Sequence, residues 1–316
     1  SGGTNSARSD LDINGNLTIS TGTLDMYASE DNTLDLEGDF TLASSGTFSP
    51  QGGSHNVAGE WDDANGTFQA TEGTVTLSGN SKDITTGSSN YFFNLEINST
   101  GTKTATSNLD INGVFTLSAG IFDAGSTSID IVGNWDDSGN NGGFTPTAGT
   151  VTLSGAGSNI TTGSDNNFFN LVINSSGTKS ALSELDINGD LTVSSGELAM
   201  GANNADVASS KTVDCDGTIS LSTGIFTANG PSDFTNGTLS ISSTGTYDAD
   251  NTFTAASGFV TFTGAGFLKC NNTVSDLGTL TNTAGTVVYD GASTQAIVTD
   301  NYFNLTIDQS GTKQAS

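Results

Sequence analysis

Apolar residues along this chain recur in pairs split by one polar residue, and a glycine commonly follows, as in Leu11-Asp12-Ile13-Asn14-Gly15-Asn16-Leu17. The same order returns at 34–40, 109–115, 129–135, 185–191 and 213–219, with a weaker copy at 55–61. Alternation of this kind places one set of side chains on one side of an extended strand. The glycine predicts a bend, because a residue without Cβ lets the backbone turn. A second short strand follows, as in Leu17-Thr18-Ile19, then a Ser/Thr-Gly turn and a third, as in Thr23-Leu24-Asp25-Met26. No stretch sustains a 3.6-residue period, and β-branched residues and glycine predominate, so helices are not expected.

A longer repeat overlies the short one. Trp61 opens WDDANGTFQATEGTVTLSGNSKDITTGSSNYFFNLEINSTGTK, and Trp135 opens WDDSGNNGGFTPTAGTVTLSGAGSNITTGSDNNFFNLVINSSGTK. Each copy runs into LDING, so the large repeats cover 61–113 and 135–189, and a shorter echo (Tyr302 to Ile307, then Ser310 to Lys313) closes the chain. Three short strands and three turns recurring about every 20–23 residues describe one coil of a solenoid. The expected fold is therefore all-β: a right-handed parallel β-helix of about 14 coils, each of three short strands, running as one continuous solenoid over 1–316. A β-sandwich also uses many short strands, but it does not return the same glycine and the same inward pair coil after coil.

Two places fit less well. Leu77 to Ile111 and Leu153 to Ile187 each span 34 residues, about one coil and a half. Either the FFNLxI segments occupy a different face, or residues 88–91 and 164–167 bulge outward. The pattern also fades over 199–210, which predicts an outward loop.

Composition narrows the function. Charged residues make up only 13%, but 34 are acidic against 7 basic, for a net charge of −27. Such a surface disfavours nucleic acid and anionic membranes, which need basic patches. No apolar run reaches membrane-spanning length. Abundant Ser, Thr, Asn and Gly would suit a disordered chain, but the regular apolar placement argues against one.

The FFNLxIN–SGTK–LDING cadence resembles the repeats of large secreted bacterial and archaeal surface proteins. Those repeats form β-solenoids in adhesins, extracellular fibres and cell-envelope coats. The resemblance covers nearly the whole chain, but its motifs specify coils rather than an activity. It implies an extracellular or cell-surface location, a structural role and glycans among the candidate partners.

Catalytic chemistry finds little to stand on. The chain has one arginine, Arg8, and one histidine, His55, which the alternation assigns to an outer or strand-edge position. Lys103, Lys179 and Lys313 recur in the same place of each repeat, which points to a structural corner. No enzyme and no cofactor are expected. Calcium is the one candidate ion. Asp12, Asp186 and Asp190 have part of a calcium-loop spacing, without its glycine and distal glutamate. Asp62-Asp63 and Asp136-Asp137 follow the tryptophans. Asn-Gly turn chemistry and a solvated acidic face account for the same residues. Cys215 and Cys270 occupy inward positions more than two coils apart, so two free buried thiols are expected. Phe40, Phe115, Trp61 and Trp135 should fill the core. Of Phe92-Phe93 and Phe168-Phe169, only one of each pair can point inward.

The two extremities match. Residues 311–316 repeat 3–8 in phase, and the LDING that should follow Ser316 is found at Leu11 to Gly15. Neither extremity carries an amphipathic cap. The expectation is a subunit of an extracellular filament or surface coat that stacks on itself head to tail. Gly3, Arg8, Asp10, Leu11 and Ile13 would meet Leu305, Ile307, Lys313 and Ser316 at the joint. The alternative is a β-helical stalk or glycan-binding segment of a longer surface adhesin.

Overall fold

The alternation seen in the sequence becomes a stack of parallel strands. The computed structural model describes residues 3–27, 31–281, 283–309 and 311–315. These residues form short strands joined by turns and bends, with no helix among them, wound as a β-solenoid of about 15 turns. Contacts divide the chain into two compact units, Ser1–Thr152 with Thr161–Asn166, and Leu153–Ile160 with Asn167–Ser316.

Three parallel ladders build the first unit. Ladder a runs Leu11, Leu34, His55, Val75, Leu95, Phe115, Trp135. Ladder b runs Leu17, Phe40, Trp61, Ile84, Ala105. Ladder c begins Thr4, Thr23, Thr47, Thr67 and later pairs Leu109 with Ile129. In strands such as Leu34–Leu36 and Leu109–Ile111 the two apolar residues are buried and the residue between them is exposed. Aromatic rings stack from coil to coil along the interior. Phe40 lies on Trp61 at 4.2 Å between centroids, and Phe115 on Trp135 at 4.6 Å. Burying each such ring stabilises the fold by about 2–3 kcal/mol, with roughly 1 kcal/mol more from the ring contact.

The registers resolve the 34-residue puzzle. Leu77 pairs with Ile97, one coil on, whereas Ile111 pairs with Phe92 and Ile131 on ladder c. The FFNLxI segment and the LDING strand thus lie on different faces. Residues 88–91 hold a tight turn and a bridge at Tyr91 rather than a bulge. The long repeat is not a whole number of coils. Trp61 and Trp135 are 74 positions apart, between three and four coils, so Trp61 falls on ladder b and Trp135 on ladder a.

The second unit repeats the scheme with its own ladders. Ladder d comprises Leu185–Ile187, Ala205–Val207, Ile225–Ala228, Thr246–Ala249, Phe267–Cys270, Thr286–Tyr289 and Asn304–Ile307. Ladder e runs Leu171, Leu191, Val213, Ser232, Phe253, Val274, and ladder f runs Leu198, Ile219, Leu239, Val260, Leu280. The outward loop expected over 199–210 is not there. Ala199 to Gly201 end the strand Leu191–Gly201, Ala205–Val207 forms a strand, and Met200, Ala205 and Val207 are buried. Small residues hid this coil, because an alanine is a weak apolar signal.

The bend glycines serve a different purpose from the one expected. At Gly133, which donates its N–H to the carbonyl of Gly113 (2.9 Å), an added Cβ would sit 2.1 Å from that same oxygen. Its φ is not in the left-handed region. Glycine is needed there because one coil rests directly on the next.

Candidate functional site

The recurring WDD segment builds the same buried polar cluster twice in the first unit. Alternation turns Trp61 and Asp63 inward together and leaves Asp62 outside. The Trp61 indole N–H donates to Asp63 Oδ2 (2.9 Å), and Asp63 Oδ1 accepts from the Gly87 N–H and the Asn90 amide (both 2.8 Å). Asn90 also donates to the carbonyls of Asp63 and Gly66, and its Oδ1 accepts from the Phe68 N–H. In the second copy Asp137 accepts from Gly163 N–H (2.8 Å), and Asn166 donates to the carbonyls of Asp137 and Asn140 while accepting from Phe144 N–H. Burial pushes both carboxyls above their ordinary range, Asp137 to about 6, and the surrounding donors only partly offset it. Each cluster fastens two turns of neighbouring coils. Sequence reasoning missed it, although the two-residue spacing of Trp and the second Asp carried the signal.

His55 is not at an edge. It is 1% exposed, packed edge-on against Phe48. Its Nδ1 accepts from Leu34 N–H (3.2 Å) and its Nε2 lies 2.9 Å from the Pro50 carbonyl, so the ring is the neutral Nε2–H tautomer. Burial lowers its pKa to about 4. The lysines are not at corners either. Lys103, Lys179 and Lys313 lie within strands, and the first two are fully buried. The Lys103 ammonium donates to the Gly59 carbonyl (3.3 Å), two coils away, and desolvation with the nearby Lys82 lowers its pKa to about 8. Lys179 donates to Ser158 Oγ, and Lys313 to the Gly291 carbonyl.

The carboxylates proposed for calcium are dispersed. Asp62 and Asp136 cap their own turns, accepting from Ala64 N–H and Ser138 N–H (both 3.1 Å), while Asp63 and Asp137 face the core. Asp12 and Asp186 face outward, in register with Asp35 and Asp206, and Asp190 accepts from Thr212 N–H. No three metal-ligating side chains of the His, Cys, Asp or Glu type come together among the described residues. A groove of about 560 Å³ opens on ladder c, lined by Thr86, Ser107, Asn108, Asp110, Ser128 and Asp130. Asp110 and Asp130 are in register there, and partial burial with the Asp130 charge raises the pKa of Asp110. The groove offers hydroxyl, amide and carboxylate groups in one concave strip.

At the first coil, Leu11 and Ile13 are half-buried against Leu34 and Leu36. Asp10 accepts from Thr33 N–H (2.8 Å), Gly3 offers its carbonyl to Thr23, and Arg8 lies 4.7 Å from the Tyr27 ring. At the last, Leu305 continues the column Tyr247, Leu268, Val287 but is 41% exposed, and Ile307 beside it is 47% exposed. Ser316 lies outside the described residues. Phe92 and Phe168 point inward, with Phe93 and Phe169 half-buried and Lys211 lying over the Phe169 ring. Cys215 and Cys270 are both free and buried, as their positions imply. Compared with models of known protein families, with characterised proteins and with solved structures, the chain matches none.

Proposed function

We propose that this β-solenoid is a structural subunit of an extracellular filament or cell-surface coat, joined to further copies through its first and last coils. The observation that carries the reading is the interior column that keeps apolar, axis-facing side chains through Leu305 and Ile307. Its members are buried up to Val287 and Tyr289, and the next two are open to water. Apolar side chains that face the axis pack well under a further coil, and we read a second copy as a donor of one in the same register. The role is mechanical rather than catalytic. The titratable groups inside, Asp63, Asp137, His55 and Lys103, are enclosed and hydrogen-bonded within the fold. The extracellular placement rests on the cadence shared with secreted repeat proteins.

The groove around Asp110 and Asp130 favours a second reading, a glycan-binding segment, because such groups pair with sugar hydroxyls. Electron microscopy of the concentrated chain separates the two. Linear polymers that Leu305→Asp with Ile307→Asp abolishes support the filament. Single particles at every concentration, with saccharide-induced amide shifts confined to the groove, support the segment instead.

A further inference from the structure

In a chain of net charge −27, one side of the second unit carries no charge over four successive coils. Outward positions of ladder f read Thr218 and Ser220, then Thr238 and Ser240, then Phe259 and Thr261, each set in register with the next. The sequence from 217 to 232, 234 to 247, 251 to 268 and 277 to 289 contains no acidic or basic residue. The charge-free zone therefore includes the turns from ladder f to ladder d and the first outward position of ladder d. Ile225 and Phe267 stand at that position, two coils apart in one column. Ile225 is 48% exposed, Phe259 48% and Phe267 37%. Acidic residues resume on the flanks, at Asp233 and Asp276 on ladder e and Asp248 on ladder d, and at Glu197 one coil below. An uncharged centre with exposed aromatic and aliphatic side chains inside a charged rim has the composition of a protein interface.

We propose that this side is where a second copy of the chain packs laterally, face against face. Two features select that occupant. Two copies repel each other wherever their carboxylates meet, and here they can approach without bringing any together at the centre. The side chains also repeat at the coil spacing of about 4.8 Å, and a second copy presents ridges at that same interval over the same four coils. Four coils of a four-residue strand with its turn cover roughly 500 Å² per copy, below the roughly 800 Å² of a stable pair. One contact is thus weak, and contacts repeated along an assembly add through effective concentration. The pairing does not require end-to-end stacking.

Sedimentation equilibrium tests it on chains whose ends are disabled by Leu305→Asp and Ile307→Asp, so that failure of the filament reading leaves this result untouched. The expected result is weak dimerisation that strengthens about tenfold as sodium chloride rises from about 0.02 to about 0.5 M, because salt screens only the repelling rims. Ile225→Asp with Phe259→Asp should leave the chain monomeric with an unchanged melting temperature, since both side chains are already exposed. A chain that is monomeric at millimolar concentration, dimers that weaken with salt, or dimers indifferent to the two aspartates would each overturn the proposal.

Discussion

At the scale of single residues, three ionisable groups oppose one another inside the first unit. His55 has a folded pKa of about 4 against an ordinary 6.5, so it favours the folded state only while neutral. Its contribution is complete above pH 6.5 and is lost as pH falls toward 4, by about 3 kcal/mol. Asp137, raised to about 6, runs the other way: its ionised form is disfavoured in the folded state, and that cost disappears as pH falls from 6 toward 3.8. Asp63 shares the upward direction. The stability of wild type relative to His55→Gln should therefore drop by about 3 kcal/mol between pH 6.5 and 4, read by urea unfolding. Relative to Asp137→Asn it should rise over the same interval. If neither difference moves with pH, these groups are not enclosed as described. Asn90→Ala tests the polar cluster itself. It strips Asp63 of a donor and leaves the Phe68 N–H without its acceptor, and should cost about 2–3 kcal/mol. A loss below about 0.5 kcal/mol would mean that water substitutes freely.

At the scale of strands and turns, the contact between coils at the bend glycines sets a steric rule. Gly133→Ala would place a methyl 2.1 Å from the Gly113 carbonyl, whereas Gly15→Ala meets nothing within 4 Å because no described coil lies beneath it. The first should cost about 2 kcal/mol or more and the second less than about 0.5 kcal/mol, measured as melting shifts of the two variants side by side. Equal shifts would show that the glycines serve the bend rather than the stacking. Here the sequence was legible in part. Alternation such as Leu109-Asp110-Ile111 identifies the inward residues, and glycine in fixed phase identifies the coil. The reason for that glycine lies in the preceding coil and cannot be read along the chain. His55 reads as an outer or strand-edge residue and Lys103 as a corner residue, because polar side chains usually lie at such places. Their burial depends on the carbonyls of Pro50 and Gly59, and the latter is 44 residues away. The polar clusters stayed hidden for the same reason: Asp63 meets Asn90 only after one coil closes on the next. The 74-residue repeat misled more subtly, because identical segments fall on different ladders when the repeat is not a whole number of coils.

At the scale of the whole chain, the two compact units carry separate natural reporters, which makes their stabilities distinguishable without any substitution. Both tryptophans, Trp61 and Trp135, are buried in the first unit, and both cysteines, Cys215 and Cys270, in the second. The thiols are enclosed among apolar side chains, which pushes Cys215 up to about 12 and Cys270 upward as well, so neither reacts until its coils open. The second unit also stacks aspartates in register, Asp186 on Asp206 and Asp214 on Asp233. Partial burial first, and like charge second, raise Asp186 and Asp214, and burial raises Asp248 and Asp290. Raised carboxyls destabilise the folded state when ionised, and the penalty is relieved as pH falls toward the ordinary carboxylate value. No depressed histidine opposes them there, since the one histidine belongs to the first unit. Labelling by a pyridyl disulfide, normalised at each pH to the unfolded chain, should therefore slow as pH falls toward the ordinary carboxylate value of 3.8. The urea midpoint of tryptophan fluorescence should change less over the same range, because His55 offsets Asp63 and Asp137. Thiols that react at the rate of the unfolded chain, or a tryptophan midpoint that follows the thiol protection step for step, would show that the units do not hold their charges as their ladders imply.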